Sequence, residues 1–181
     1  MRARGRQDGG GLIMANDNLP ACLWYDGQAE DAANFYVATF KAGGRQAAIT
    51  DELRWGEVRP EPHKDAPVGS ILTVNFELEG RPFVALNGGP HFTLSPAVSF
   101  MVLCETQTEI DYFWAALQEG GGQPMQCGWV TDRFGLSWQV CPRQLLAMHK
   151  SPDRAAADRA MKAMLGMTKL DLPALEKAFA G

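Results

Sequence analysis

Ser70-Ile-Leu-Thr-Val-Asn-Phe-Glu-Leu-Glu-Gly-Arg-Pro-Phe-Val-Ala-Leu86 is the stretch on which the fold turns. Leu72, Val74, Phe76 and Leu78 alternate with Thr73, Asn75, Glu77 and Glu79, the period of a strand with one face on a core. Glu79-Gly80 then reverses the chain into Arg81 to Leu86, so the segment predicts a β-hairpin. Upstream, Ala21-Cys-Leu-Trp-Tyr25 reads as a short apolar strand closed by Asp26-Gly27. Ala29, Ala32, Ala33, Tyr36, Val37 and Phe40 recur at helical spacing, and Gly43-Gly44 ends that helix. A further strand is expected around 45–50, then a polar, Pro-bearing loop from about 57 to 68.

Downstream the same order begins again. Val98 to Cys104 reads as a strand, and Thr106-x-x-Glu109 has the capping-box spacing of a helix start. The buried stripe of that helix is Ile110, Phe113, Trp114 and Leu117, and Gly120-Gly121-Gly122 stops it. Met125 to Val130 and Gly135 to Val140 supply two more strands, joined by a turn at Asp132 to Gly135. Past Pro142 the pattern becomes helical. Ser151-Pro152 reads as a cap and first-turn proline for a helix lined by Ala156, Ala160, Ala163, Met164 and Met167. Asp171 caps a last helix through Leu172, Leu175, Ala178 and Phe179. Strand, helix and strands read twice over amount to an internal structural repeat. The expected organisation is a tail at 1–18, a first βαβββ module at 19–93, a second at 94–141, and a helical extension at 142–181.

Composition narrows the function classes. The 181 residues are 46% hydrophobic and 21% charged, with a net charge of -4, so the footprint of a nucleic-acid or anionic-membrane binder is not expected. No apolar run approaches the ~20 residues that span a bilayer. Arg2, Arg4 and Arg6 precede only a four-residue apolar stretch, Leu12 to Ala15, too short for a secretory signal. A cytoplasmic location is therefore expected, with Met14 an alternative start. Cys22, Cys104, Cys127 and Cys141 form no C-x-x-C pair and are expected as reduced, buried thiols, Cys127 being the one that could be reached as a thiolate.

Five segments carry a family likeness: 23–27 (Leu-Trp-Tyr-Asp-Gly), 85–92 (Ala-Leu-Asn-Gly-Gly-Pro-His-Phe), 109–114 (Glu-Ile-Asp-Tyr-Phe-Trp), the run from Cys127 to Val140, and 163–171 (Ala-Met-Leu-Gly-Met-Thr-Lys-Leu-Asp). Together they resemble the PhnB-like branch of the glyoxalase, or vicinal oxygen chelate, superfamily, often labelled demethylubiquinone methyltransferase-like. The resemblance implies an α+β fold with paired βαβββ modules, curved mixed sheets around a cavity, and a homodimer. Enzymes of the superfamily hold a divalent metal with His and Glu side chains and use it as a Lewis acid. The matching positions in this chain are Ala21, Ser99, Gln139 and the neighbourhood of Ala85 to Asn87, which offer neither imidazole nor carboxylate. No metal and no other cofactor is expected.

Candidate site residues follow. In the strand after Gly135, Gln139 projects away from the face of Leu136, Trp138 and Val140. Its amide and that of Asn87 can donate and accept to a ligand, and Ser99 shares the cavity by the resemblance. His91 follows the turn Asn87-Gly-Gly-Pro90 and is the candidate for a binding or general-base role. Tyr25 and Trp129 are candidates for an aromatic lining, although a core role is the plainer reading for both and for Trp138. His63 and His149 fall where solvent exposure is the default, and Asp132 serves its turn. The leading expectation is a homodimer that binds a small, partly apolar molecule in a β-cup, with the reaction, if any, unspecified. A metal-assisted lyase, isomerase or dioxygenase using Gln139 and His91 with a partner chain is the alternative, and a structural or regulatory dimer is a third. Methyl transfer is not expected, because Gly120-Gly121-Gly122 follows a helix and no Gly-rich loop joins a parallel strand to a helix.

Overall fold

The computed structural model describes residues 19–61 and 63–181, so the expected tail and the question of Met14 lie outside the described residues. Elements run β1 (Ala21–Tyr25), α1 (Ala29–Ala42), β2 (Ala47–Arg54), β3 (Ile71–Leu78) and β4 (Arg81–Asn87). The order then repeats as β5 (Ser99–Cys104), α2 (Gln107–Leu117), β6 (Gln123–Pro124), β7 (Trp129–Thr131) and β8 (Ser137–Pro142). Three helices close the chain: α3 (Arg143–His149), α4 (Arg154–Leu165) and α5 (Leu172–Ala180). Each repeat makes a four-stranded mixed sheet, ordered β1-β4-β3-β2 and β5-β8-β7-β6, in which the first and last strands run parallel. This is a mixed α+β fold of the glyoxalase type, as the family resemblance implied, with the duplicated unit that the repeat predicted.

Local chemistry explains the elements. Glu79 and Gly80 both have positive φ (51° and 75°), the two-residue turn whose twist matches paired strands. Thr106 accepts from the Glu109 amide, while the Glu109 carboxylate reaches back to the Glu105 amide, one residue earlier than a strict capping box. Asp171 caps α5 as expected. The cap of α4, however, is Asp153, which accepts from the Ala156 amide, and Ser151 instead accepts from the Asp153 amide. The strand expected at 125–130 is also redrawn. Met125 to Gly128 is a turn, with Cys127 at φ 61° and Gly128 at φ 81°, and pairing is left to Gln123–Pro124 and Trp129–Thr131. That turn is held from outside, since the Cys127 and Gly128 amides donate to Met167 and Thr168 in the α4–α5 connection.

One apolar core joins the two repeats. Helix α1 lies on the first sheet, but its Tyr36 and Phe40 reach Trp138 of β8, with ring centroids 5.3 and 5.9 Å apart. Phe83 of β4 meets Phe100 of β5 edge-on at 4.9 Å. Arg45 adds a polar tie, donating to Glu79 and to the Leu103 carbonyl while lying 4.7 Å from the Phe113 ring centroid. Fully burying side chains of this size is worth ~1.5–3 kcal/mol each, so this junction holds the repeats as one body. A second, smaller core gathers Cys141, Leu145, Met148, Leu170 and Leu175 under the terminal helices. No helix among the described residues is long and apolar enough to cross a membrane.

Candidate functional site

Strand alternation gives each sheet two unlike faces. In the second sheet Phe100, Val102, Val130, Trp138 and Val140 turn toward the helices and the shared core. Ser99, Met101, Trp129 and Gln139 take the other face, and the register sets Met101 and Trp129 on either side of Gln139. The Gln139 Nε2 donates to Ser99 Oγ at 2.8 Å. The Gln139 Oε1 accepts no hydrogen bond among the described residues, so half of this amide is still available to a ligand. Helices α3 to α5 cover the far end of the face, where Leu103 and Cys141 meet the second core.

Next to Ser99 opens a cleft of about 520 Å³ between β5 and the β3–β4 hairpin end of the first sheet. Val98, Phe83 and Phe100 give it apolar walls, and Ser99 and Met101 belong to the same lining. Arg81 lies 5.0 Å from the Phe100 ring centroid and 5.8 Å from that of Phe83, which brings a cation to a hollow that Glu79 and Ser99 also line. A volume of this size suits a small organic molecule. Sequence reasoning passed over Arg81, Phe83 and Phe100. Alternation on β5 marked Phe100 as core, but which strand edges would face each other across the repeat depends on tertiary packing.

The candidates named from sequence divide into two groups. Ser99, Gln139 and Trp129 come together on the open face of the second sheet. Tyr25 and Asn87 lie on the helix-facing side of the first sheet. Tyr25 is buried, with its hydroxyl 3.1 Å from that of Tyr36, and burial raises the pKa of both phenols. Asn87 accepts from the Ala29 amide at the start of α1 and donates to the Ile71 carbonyl, so both ends of its amide are engaged by the backbone. His91 is exposed in the β4–β5 connection. Two histidines expected in solvent are partly buried: His63 packs against Trp55 with centroids 5.2 Å apart, and His149 Nε2 is buried with no hydrogen-bond partner. Burial, with the Arg154 charge behind it, lowers the His149 pKa. Asp132 does serve its turn, accepting from the Phe134 and Leu136 amides, and it also takes the Trp138 indole N–H at 2.8 Å.

The thiols are unlike one another. Cys104 and Cys141 are buried, and burial pushes them up to about 12 and about 11, which suppresses the reactive thiolate. Cys22, expected inside, is exposed, one residue beyond Ala21, which packs against the core. The first-strand position of the open face is thus occupied by Cys22 and not by Ala21. Among the described residues no three His, Cys, Asp or Glu side chains gather where they could hold a metal ion. The open face of the second sheet offers a hydroxyl already accepting a hydrogen bond, a neutral amide and a thioether, a donor set that does not fit a divalent cation.

The comparisons agree with this architecture. A family model described as 3-demethylubiquinone-9 3-methyltransferase matches residues 17–141, more than half of the chain. The PhnB protein from Bacillus cereus, itself described with that methyltransferase name, is 28% identical. It superposes with a TM-score of 0.57 over 69% of this chain and 98% of its own. A protein from Pseudomonas aeruginosa shares the fold at 20% identity and a TM-score of 0.53, over 68% of this chain and 96% of its own. No curated protein matches. Residues 17–141 contain both repeats and both open faces, and on that span the chain belongs to the 3-demethylubiquinone-9 3-methyltransferase family, the PhnB-like proteins of the glyoxalase fold.

Proposed function

We infer that the protein binds a small, partly apolar molecule on the open face of its second sheet, as a homodimer and without a divalent metal. One observation carries the reading: the Gln139–Ser99 pair leaves one amide oxygen without a partner, and Ser99 of that pair also lines the cleft. The apolar part of a ligand would lie against Val98, Phe83 and Phe100, and its polar group would meet the Arg81 guanidinium or reach around the β5 edge to Ser99 and, through it, Gln139. Trp129 and Met101 flank the polar pair and would shield it from water. Tyr25 and Asn87, committed to the fold, would act by holding the first sheet and α1 in place. His91 is left as a residue that a partner copy or a bound ligand would have to bring into use. Four free cysteines fit a reducing compartment, the cytoplasm.

The homodimer is supported by apolar surface that the single chain leaves in water. Val98, Met101 and Leu53 are all exposed, and β1 and β5 are edge strands with one unpaired side. Sedimentation velocity should give twice the chain mass, and a monomer at micromolar concentration would remove this part of the reading. Binding is tested by a thermal-shift screen of small aromatic and aliphatic acids and alcohols, because a ligand of the native state raises its apparent stability. Hits should weaken at least tenfold in Gln139→Leu and Ser99→Ala. A screen without hits, or hits indifferent to both substitutions, would refute it. Equilibrium dialysis against zinc, nickel and manganese should leave no stoichiometric metal on the protein.

A further inference from the structure

A second cleft, of about 410 Å³, lies at the other end of the first sheet and shares no residue with the cleft beside Ser99. The strand order β1-β4-β3-β2 determines its plan. Asp26 and Glu30 enter from the β1–α1 turn, at one edge of the sheet. Arg54 and Trp55 enter from the end of β2, at the opposite edge. The ends of β4 and β3, with Asn87 and Ile71, form the floor between them. Three strand spacings separate the two edges, roughly 14 Å of backbone, and side chains from both edges line the one cleft.

One wall carries two carboxylates, and the other presents the Arg54 guanidinium, itself ion-paired behind the wall with Glu52. Asp26 and Glu30 are exposed carboxylates with no cationic partner among the ion pairs of the described residues. Arg54 uses Nη1 on the Gly69 carbonyl and Nη2 on Glu52, which fixes the guanidinium while leaving three of its five N–H donors. Trp55 and His63, with planes 31° apart, add a flat aromatic surface beside Arg54. The floor is inert, because both ends of the Asn87 amide are already bonded. Carboxylates on one side, and a positioned guanidinium with an aromatic surface beside it on the other, select a ligand carrying both charges on a compact apolar body.

We propose that this cleft is a binding site for an amino-acid zwitterion, its ammonium group toward Asp26 and Glu30, its carboxylate on Arg54, and its side chain against Trp55. A simple cation would meet the carboxylates but would also face the Arg54 charge, and a simple anion would meet the reverse. Only a molecule bearing both groups satisfies the two walls at once.

Isothermal titration of the full chain with L-phenylalanine, 2-phenylethylamine and 3-phenylpropionate tests this, since the last two each delete one charged group. Saturable binding of L-phenylalanine is expected, with each analogue at least tenfold weaker, the loss of about one charge-assisted hydrogen bond. Arg54→Gln should weaken L-phenylalanine and 3-phenylpropionate but not 2-phenylethylamine, which loses only a repelling charge and should bind as well or better. Asp26→Asn with Glu30→Gln should do the opposite. All three side chains are exposed, and matching circular dichroism would confirm that the variants fold. No saturable L-phenylalanine binding at millimolar concentration would overturn the proposal. So would an amine-only ligand that binds as tightly as the amino acid, or binding that neither substitution disturbs.

Discussion

Trp138 and Gln139 are neighbours on β8, yet they face regions built to opposite rules. On the helix-facing side Trp138 is buried, touches the rings of Tyr36, Phe40 and Phe100, and has its indole N–H held by Asp132. On the open side Gln139 makes a single hydrogen bond, to Ser99, between two half-exposed apolar neighbours. A side whose polar atoms are all engaged has nothing left to offer a ligand, and its role is to fix geometry. A side with an unspent amide has little to offer stability. The contrast between Asn87 and Gln139 makes the same point: two amides, one consumed by the backbone on both ends, the other half free.

The contrast is broken most severely at Asp132. Its carboxylate accepts from two amides and the Trp138 indole in a buried setting, so Asp132→Ala strands three donors and leaves a cavity. At ~1–3 kcal/mol for each unsatisfied buried group, with partial rescue by water, a loss of about 3 kcal/mol or more is expected. Urea denaturation measures it, and a loss below about 1 kcal/mol would mean that this network does not organise the core. Asn87→Ala should come next. It removes the acceptor for the first amide of α1 and the donor to Ile71, at a cost of about 1–2 kcal/mol by the same measurement.

Asp132 also predicts a pH dependence of smaller size. Burial outweighs the hydrogen bonds it receives, and its carboxyl titrates above the ordinary aspartate value. A group that binds its proton more tightly when folded lends stability that is complete below the unfolded pKa and is lost as pH rises through the folded one. Asp132→Asn has no such titration. The unfolding free energy of the wild type minus that of the variant should therefore fall as pH rises from below the usual aspartate value to above the raised value of the folded protein. A difference that is flat, or that grows with pH, would show that the hydrogen bonds prevail over burial.

How much of this was legible in the sequence depends on the range of the interaction. The hairpin at Leu78 to Arg81, the stop at Gly43-Gly44 and the caps at Thr106 and Asp171 are decided by residues within a few positions of one another, and they stand where the pattern put them. The strand expected from Met125 starts only at Trp129, because the turn at Cys127-Gly128 is held by Met167 and Thr168, about forty residues away. Likewise no local signal separates Asn87 from Gln139. Both lie on strands as exposed-looking amides, and only the placement of α1 over the first sheet shows that the Ala29 amide claims one of them. Ala21 and Cys22 exchange faces for a related reason: a five-residue strand of small and apolar residues carries too little alternation to fix its register, and the parallel pairing with β4 sets it instead.

The smallest effect on stability and the largest on binding should coincide at Gln139→Leu. Leucine is close in volume and suits the Met101 and Trp129 neighbourhood, so the fold loses only the bond to Ser99, a hydroxyl that water can satisfy. The unfolding free energy should change by less than about 1 kcal/mol. Any ligand held by the free Oε1 should lose its polar anchor together with this residue. If Gln139→Leu instead destabilises the protein as much as Asn87→Ala, the amide is part of the scaffold after all, and the open side obeys the same rule as the buried one.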